Sequence, residues 1–172
     1  MVSNKENDVP IRDAATVILL RKKDRNNYVL MGQRGENAAF MPSKYVFPGG
    51  AVDQQDGEIE LSGYLTERTS NLLLSHSKNN ISKSLSVAAI RELWEEAGLR
   101  LCKKVLKMGE IPEGWEDFCA ENNLPDASNL QFVFRAITPP GRPRRFDARF
   151  FLCMAETVDG NLDDFSAAST EL

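Results

Sequence analysis

Three cysteines and one histidine in 172 residues leave little room for several kinds of chemistry. Cys102, Cys119 and Cys153 are odd in number and contain no CxxC pair. That pattern argues against a disulfide scaffold or a structural zinc site and fits a reducing compartment. With His76 alone, a Ser-His-Asp triad is hard to assemble. There is no excess of positive charge either: 21 Lys+Arg stand against 25 Asp+Glu, a formal net charge of −4. Nucleic acid is therefore not expected as a partner on composition, and a phosphate ligand would need a local basic cluster or bound metal ions. No apolar run approaches the ~18–20 residues of a membrane span. The longest, Ala14 to Leu20, is strand-sized, and the first ten residues carry no signal-peptide core. A soluble, cytoplasmic protein with no membrane partner is expected. GxGxxG and GxxxxGK[ST] are both missing, which removes the dinucleotide-fold and P-loop readings.

What is present is a globular composition, 42% hydrophobic and 27% charged, in a chain of one-domain length. Residues 1–11 read as a flexible lead-in. Strands are expected over 14–20, 28–34, 44–47, 131–138 and 148–155. Helical patterning covers 59–76 and, more strongly, 85–97, where Gly98 supplies a left-handed stop. A short helix is expected over 115–123, and residues 139–145 read as a stiff basic connection. Strands and helices do not alternate regularly, so a mixed sheet packed by helices, an α+β fold, is favoured over a doubly wound parallel one.

The segment Ala88–Leu99, AAIRELWEEAGL, is the most informative. On a helix at about 100° per residue, with Glu92 at the origin, Glu96 falls near about +40° and Glu95 near about −60°. Ile90, Leu93, Trp94 and Ala97 occupy the opposite side. One face is apolar and the other holds three carboxylates. Like charges one turn apart repel by a few tenths of a kcal/mol each. Arg91 relieves Glu95 at i,i+4, while Glu92 and Glu96 have no such partner. A solvated acidic face is one reading. A hard divalent cation, which takes oxygen ligands, is the other.

Gly49-Gly50 after a strand, followed by Arg91-Glu92-Leu93-Trp94-Glu95-Glu96-Ala97-Gly98-Leu99, resembles the Nudix hydrolase box, G-x5-E-x7-R-E-U-x-E-E-x-G-U with U bulky and apolar. The second half matches at every specified position. The first half departs: the box places 13 residues between its Gly and Arg, whereas residues 51–90 intervene here, an excess of 27. Asp56 stands at the G-x5-E position, with Glu58 and Glu60 as alternatives. The stretches YVFPGGAVD (45–53) and RFDARFF (145–151) are similar to the Nudix branch with an insertion inside its box, which includes coenzyme A diphosphatase-like proteins. The run Gly35–Tyr45 lacks the LRxHxG segment of the known coenzyme A motif.

The resemblance implies an α/β/α sandwich around a mixed sheet over 12–172, with the insertion at about 57–84 carrying His76 in no catalytic role. It implies Mg²⁺- or Mn²⁺-dependent hydrolysis of a nucleoside diphosphate linked to another moiety. Coenzyme A or an acyl-CoA comes first; ADP-ribose, NADH or a sugar nucleotide stay open, as does a non-catalytic nucleotide-binding domain. Glu92 and Glu96 would ligate metal, with Glu95 a further ligand or a water-positioning group. The carbonyl of Gly49 would be a backbone ligand, Gly50 the box glycine, and Arg91 the orienting cation. Glu156 and Glu171 are alternative bases. Arg142, Arg144, Arg145 and Arg149 form a basic patch, read as a clamp on substrate phosphate or as a solvated loop with an ion pair to Asp147 or Asp53, with Arg145 the first candidate. Arg34 is a phosphate ligand or a surface charge beside Glu36. The family normally continues past this point with a Trp-bearing strand and a closing helix, so an incomplete C-terminus is expected; a homodimer is one alternative cover for the sheet.

Overall fold

The computed structural model describes residues 9–36, 42–75 and 81–164. The fold is α+β. Its strands are β1 (Ile11–Lys23), β2 (Asn26–Val29), β3 (Gly32–Gln33), β4 (Tyr45–Val46), β5 (Gly49–Ala51), β6 (Cys102–Lys104), β7 (Asn123–Pro125), β8 (Gln131–Ile137) and β9 (Arg145–Met154). Its helices are α1 (Glu67–Ser75) and α2 (Ser82–Ala97). The main sheet runs β2-β1-β9-β8, with β5 also on β1. It is mixed: β1 and β9 are parallel, and the other pairs are antiparallel.

β1 alternates because its two faces differ. Ala15, Val17 and Leu19 are buried and align with Arg149, Phe151 and Cys153 of β9. α2 lies across β1 and β5 and closes this face with Leu85, Ile90 and Leu93. Ala88 and Ala89, both fully buried, let the helix axis come close to the sheet. The two faces of the sheet are unequal: Phe134 on the far face is 58% exposed. Cys153 sits in the core and burial pushes its thiol up to about 12, so it behaves as a small hydrophobe. Cys102, Cys119 and Cys153 are all unpaired. Among the described residues, no helix is long and apolar enough to cross a membrane.

Several boundaries differ from the sequence expectation, each for a local reason. The strand expected over 28–34 is split into β2 and β3. β2 is joined to β1 through Asp24 and Arg25, both at positive φ, the geometry of a tight hairpin. The helical pattern over 59–76 yields only α1, because Ser62 and Gly63 pair elsewhere. Ser62 N–H donates to the Pro125 carbonyl, Ala127 N–H donates to the Gly63 carbonyl, and Ile59 and Leu61 are buried along the way. Thr66 then opens α1, its hydroxyl accepting from Thr69 N–H. The short helix expected over 115–123 is reduced to a turn, since Glu121 and Asn122 adopt positive φ and Asn123 enters β7. β9 begins at Arg145, so that residue belongs to the strand and not to the connection before it. α2 begins at Ser82, three residues earlier than expected, and ends as expected: Gly98 at φ 65° donates to the Trp94 carbonyl.

Candidate active site

The site forms where α2 crosses the β5 edge. The register fixes which way Gly49 points. Val17 N–H donates to Pro48 and Val52 N–H donates to Asp13, so Thr16 and Gly49 form the non-hydrogen-bonded pair between them. The N–H and C=O of Gly49 therefore face away from β1. That N–H donates to Glu96 Oε2 at 2.9 Å, and the carbonyl lies along the same edge.

The two glycines are required by space. A Cβ on Gly49 would sit 2.5 Å from the Ala15 carbonyl oxygen and 2.7 Å from Thr16 Cα, both backbone. A Cβ on Gly50 would sit 2.3–2.6 Å from the Glu92 carboxylate. Gly49→Ala must push β5 off β1 and is expected to cost about 1–3 kcal/mol. At about 2–4 °C per kcal/mol for a chain of this size, a thermal melt should show it as a fall of several degrees.

Arg91 organises the acids. Its Nε and Nη2 reach Asp56 Oδ1 and Oδ2 at 3.0 and 3.1 Å, a two-pronged bond to a carboxylate only 1% exposed. Nη2 also donates to the Ala51 carbonyl at 3.0 Å. Nη1 donates to Glu92 Oε1 at 2.8 Å and Glu95 Oε2 at 3.1 Å. Burial works against the guanidinium charge, but the Asp56 bond and the charges of Glu92, Asp56 and Glu95 outweigh it, and its pKa is raised. Asp56 is itself fixed by accepting from Asp53 N–H at 2.8 Å. Among the three acids weighed for the G-x5-E position, Asp56 is the one bonded to Arg91. The loop holding it is tied to α2 by Lys83, which donates to the Gly57 carbonyl at 2.8 Å.

Glu92 and Glu96 project from adjacent turns onto Gly50 and Gly49. Both carboxyls are shifted upward. For Glu92 the cause is burial, only partly offset by Arg91. For Glu96, 9% exposed, burial and then the Glu92 charge outweigh the Gly49 N–H, and the carboxyl rises to about 7. Glu95 is 46% exposed on the outer side. Two desolvated carboxylates one turn apart, in a cradle that a single Cβ would fill, fit a small hard cation. Among the described residues no three Asp, Glu, His or Cys side chains converge in a ready-made cage. The donors are a carboxylate pair beside a glycine carbonyl, an open set that suits Mg²⁺ or Mn²⁺ retaining several waters.

The remaining candidates are placed as follows. Arg34 follows β3, and its charge acts on Glu96. Arg145 is buried and donates from Nε to the Thr138 carbonyl at 3.2 Å. Asp53 lies 3.7 Å from Arg12 and 3.8 Å from Arg91, and Asp147 pairs with Arg135 at 2.7 Å and Arg149 at 3.2 Å. Glu156 is exposed just after β9, where its charge acts on Arg21. Arg100 pairs with Asp159 at 2.9 Å. Glu171 and His76 lie outside the described residues. A network joins Arg149, 3% exposed, to Asp13 and Asp147; the sequence reading weighed Asp147 as a partner of this basic patch but missed Asp13. Its signal was available: Arg145, Asp147 and Arg149 alternate at period two into the apolar Phe151 and Cys153.

No family model matches the chain. It is 30% identical over 156 residues to a Caenorhabditis elegans protein named "Putative nudix hydrolase 7", an alignment covering 84% of this chain and 45% of that protein. It is 26% identical over 184 residues to the Gallus gallus protein named "Acyl-coenzyme A diphosphatase NUDT19", covering 75% of this chain and 48% of that one. The chain thus spans about half the length of the curated relatives it matches. The crystal structure of a Nudix hydrolase from Alicyclobacillus acidocaldarius superposes with a TM-score of 0.66 at 28% identity, covering 86% of this chain and 71% of that one. Shared sequence, shared fold and a box helix whose acids converge on the box glycines point one way: the chain has the Nudix fold and is similar over most of its length to Nudix hydrolases.

Proposed function

We propose that this protein is a Mg²⁺- or Mn²⁺-dependent pyrophosphohydrolase acting on a nucleoside diphosphate linked to another moiety. The convergence of Glu92 and Glu96 on Gly49-Gly50, with Arg91 locked by Asp56, carries this reading. A bound divalent ion would polarise a phosphoryl oxygen and lower the pKa of the attacking water. Glu92 and Glu96 would hold that ion, with the Gly49 carbonyl and Glu95 as further donors. Arg91 keeps the carboxylates in place without reorganisation, because its own geometry is set by the buried Asp56. Water attacks one phosphorus of the diphosphate, the bridging P–O bond breaks, and the second phosphate leaves with the electron pair.

Coenzyme A or an acyl-CoA is the first substrate to test, because a relative is named acyl-coenzyme A diphosphatase. ADP-ribose, NADH and a sugar nucleotide follow. The unpaired thiols fit a reducing compartment such as the cytoplasm. The test is product release from coenzyme A, acetyl-CoA, ADP-ribose, NADH and UDP-glucose with Mg²⁺ or Mn²⁺, for wild type and Glu92→Gln. Metal-dependent cleavage of at least one compound is expected, falling on the order of 10²–10³-fold in the variant. Cleavage of none of them while Mn²⁺ still binds would turn the assignment toward a nucleotide-binding domain without catalysis.

A further inference from the structure

A second concave site lies beyond the end of α2. The helix stops at Gly98, whereas β1 runs on to Lys23. There the sheet, Leu99, Leu162 and Asp163 enclose a cavity of about 570 Å³, within the range of small-molecule sites. Its floor is aliphatic: Leu19, Leu99 and Ala155 are buried, and Leu30 and Leu162 pack against the same core. Tyr28 and Met31, 51% and 40% exposed, also line it. Arg21 and Lys23 stand at the rim, two residues apart on β1 and so on the face that Leu19 shares. Asp24, at the hairpin turn, and Asp163 are the acids there. Arg21 donates to both oxygens of Asp163, at 2.6 and 3.2 Å. The Arg21 bond, with the charges of Arg21 and Lys23, holds that carboxyl below its usual range. Asp163 is 67% exposed, so the pair ties the fold only weakly. Its carboxylate shows what the rim accepts, and a carboxylate from solution can take its place.

We infer that this cavity is a binding site for an aliphatic carboxylate, a medium-length fatty acid anion. Its chain lies on Leu19, Leu30 and Leu99, and its head meets Arg21 and Lys23 in place of Asp163. Burial of the chain supplies the affinity, and the two cations select the charged head. The site is separate from the carboxylate pair at Gly49-Gly50 and does not depend on the functional reading of that pair.

The experiment measures binding of decanoate, below its micellar concentration and in chelator, by calorimetry. The proteins are wild type, the double variant Arg21→Gln, Lys23→Gln, and the single variants Asp163→Asn and Glu92→Gln. Decanol serves as the uncharged control. Wild type should bind decanoate saturably with a Kd of about 1 mM or tighter, and decanol at least about tenfold more weakly. The double variant should bind decanoate about tenfold more weakly yet melt within about 3 °C of wild type, because the pair it removes is exposed. Asp163→Asn should bind about threefold more tightly or better, since the rim then loses the competing carboxylate. Glu92→Gln should bind as wild type does. Absence of saturable binding to wild type overturns the inference. Equal affinity for decanol, or unchanged affinity in the double variant or in Asp163→Asn, does the same, because the cavity would then be an apolar patch that reads no charge. A loss in Glu92→Gln would put the ligand at the other site and also overturn it.

Discussion

Arg91→Met is expected to destabilise the protein by about 3–5 kcal/mol, the usual penalty for stripping one partner from a buried ion pair. Asp56, 1% exposed, loses both of its guanidinium bonds and keeps only the Asp53 N–H. The Ala51 carbonyl loses its donor as well. At about 2–4 °C per kcal/mol the melting temperature should drop by on the order of 10 °C. The double variant Arg91→Met, Asp56→Asn should recover a large part of that loss, because the uncompensated charge is then gone. A single variant losing less than about 1 kcal/mol in urea unfolding would show that the Arg91–Asp56 pair does not hold the loop to the helix. Arg91→Lys, with a point charge and no planar fork, should lie between the two.

Glu96→Gln should abolish metal-dependent hydrolysis, by about 10³-fold or more if Glu96 ligates the ion, while making the metal-free protein more stable at alkaline pH. The sign follows from linkage. The folded-state pKa of Glu96, about 7, lies above its unfolded value of 4.5. Between those values the folded state binds more protons than the unfolded one. Stability therefore falls as pH rises through that window and stays low above about 7. Glutamine has no charge to desolvate and can still accept from Gly49 N–H. In chelator at pH 8 the variant should exceed wild type by about 1–3 kcal/mol, and the difference should vanish near pH 4. Saturating Mn²⁺ should reverse the order, since about 100-fold excess over Kd adds about 2.7 kcal/mol to the protein that binds it. Equal stability of the two chelated proteins from pH 5 to 8 would refute the desolvation of Glu96.

The two predictions draw on different levels of legibility. The acidic face of α2 could be read from Glu92, Glu95 and Glu96, because helical periodicity is local. Gly98 was equally plain as a stop. The glycine pair was legible as a motif but not as a steric demand: that Gly49 lies against Ala15 and Gly50 against Glu92 follows from pairing between distant segments. Asp56 was narrowed to three acids, and only the fold shows which one meets Arg91. The reading failed where nonlocal backbone pairing overrode local pattern. The start of the 59–76 stretch looks helical, but Ser62 and Gly63 are drawn out against 124–127. Arg145 stayed open between a phosphate clamp and an ion pair, because the start of β9 and its tie to Thr138 lay beyond local pattern.

The pairing of β1 with β9 has a consequence for biosynthesis. Ile11 aligns with Arg145 and Leu20 with Met154, so the centre of the sheet joins segments about 130 residues apart. During synthesis at about 5–20 residues per second, the β9-facing edge of β1 waits on the order of ten seconds for its partner. β2 and β5 occupy the opposite edge and offer it no cover. For that interval the apolar stretch Ala14–Leu20 presents an unpaired edge to other nascent chains. The glycine cradle and the acidic helix are translated well before β9, so the chemistry of the site is encoded early while the sheet that supports it closes late. Recovery of active protein should therefore depend more on expression temperature and chaperone supply than equilibrium stability alone would predict.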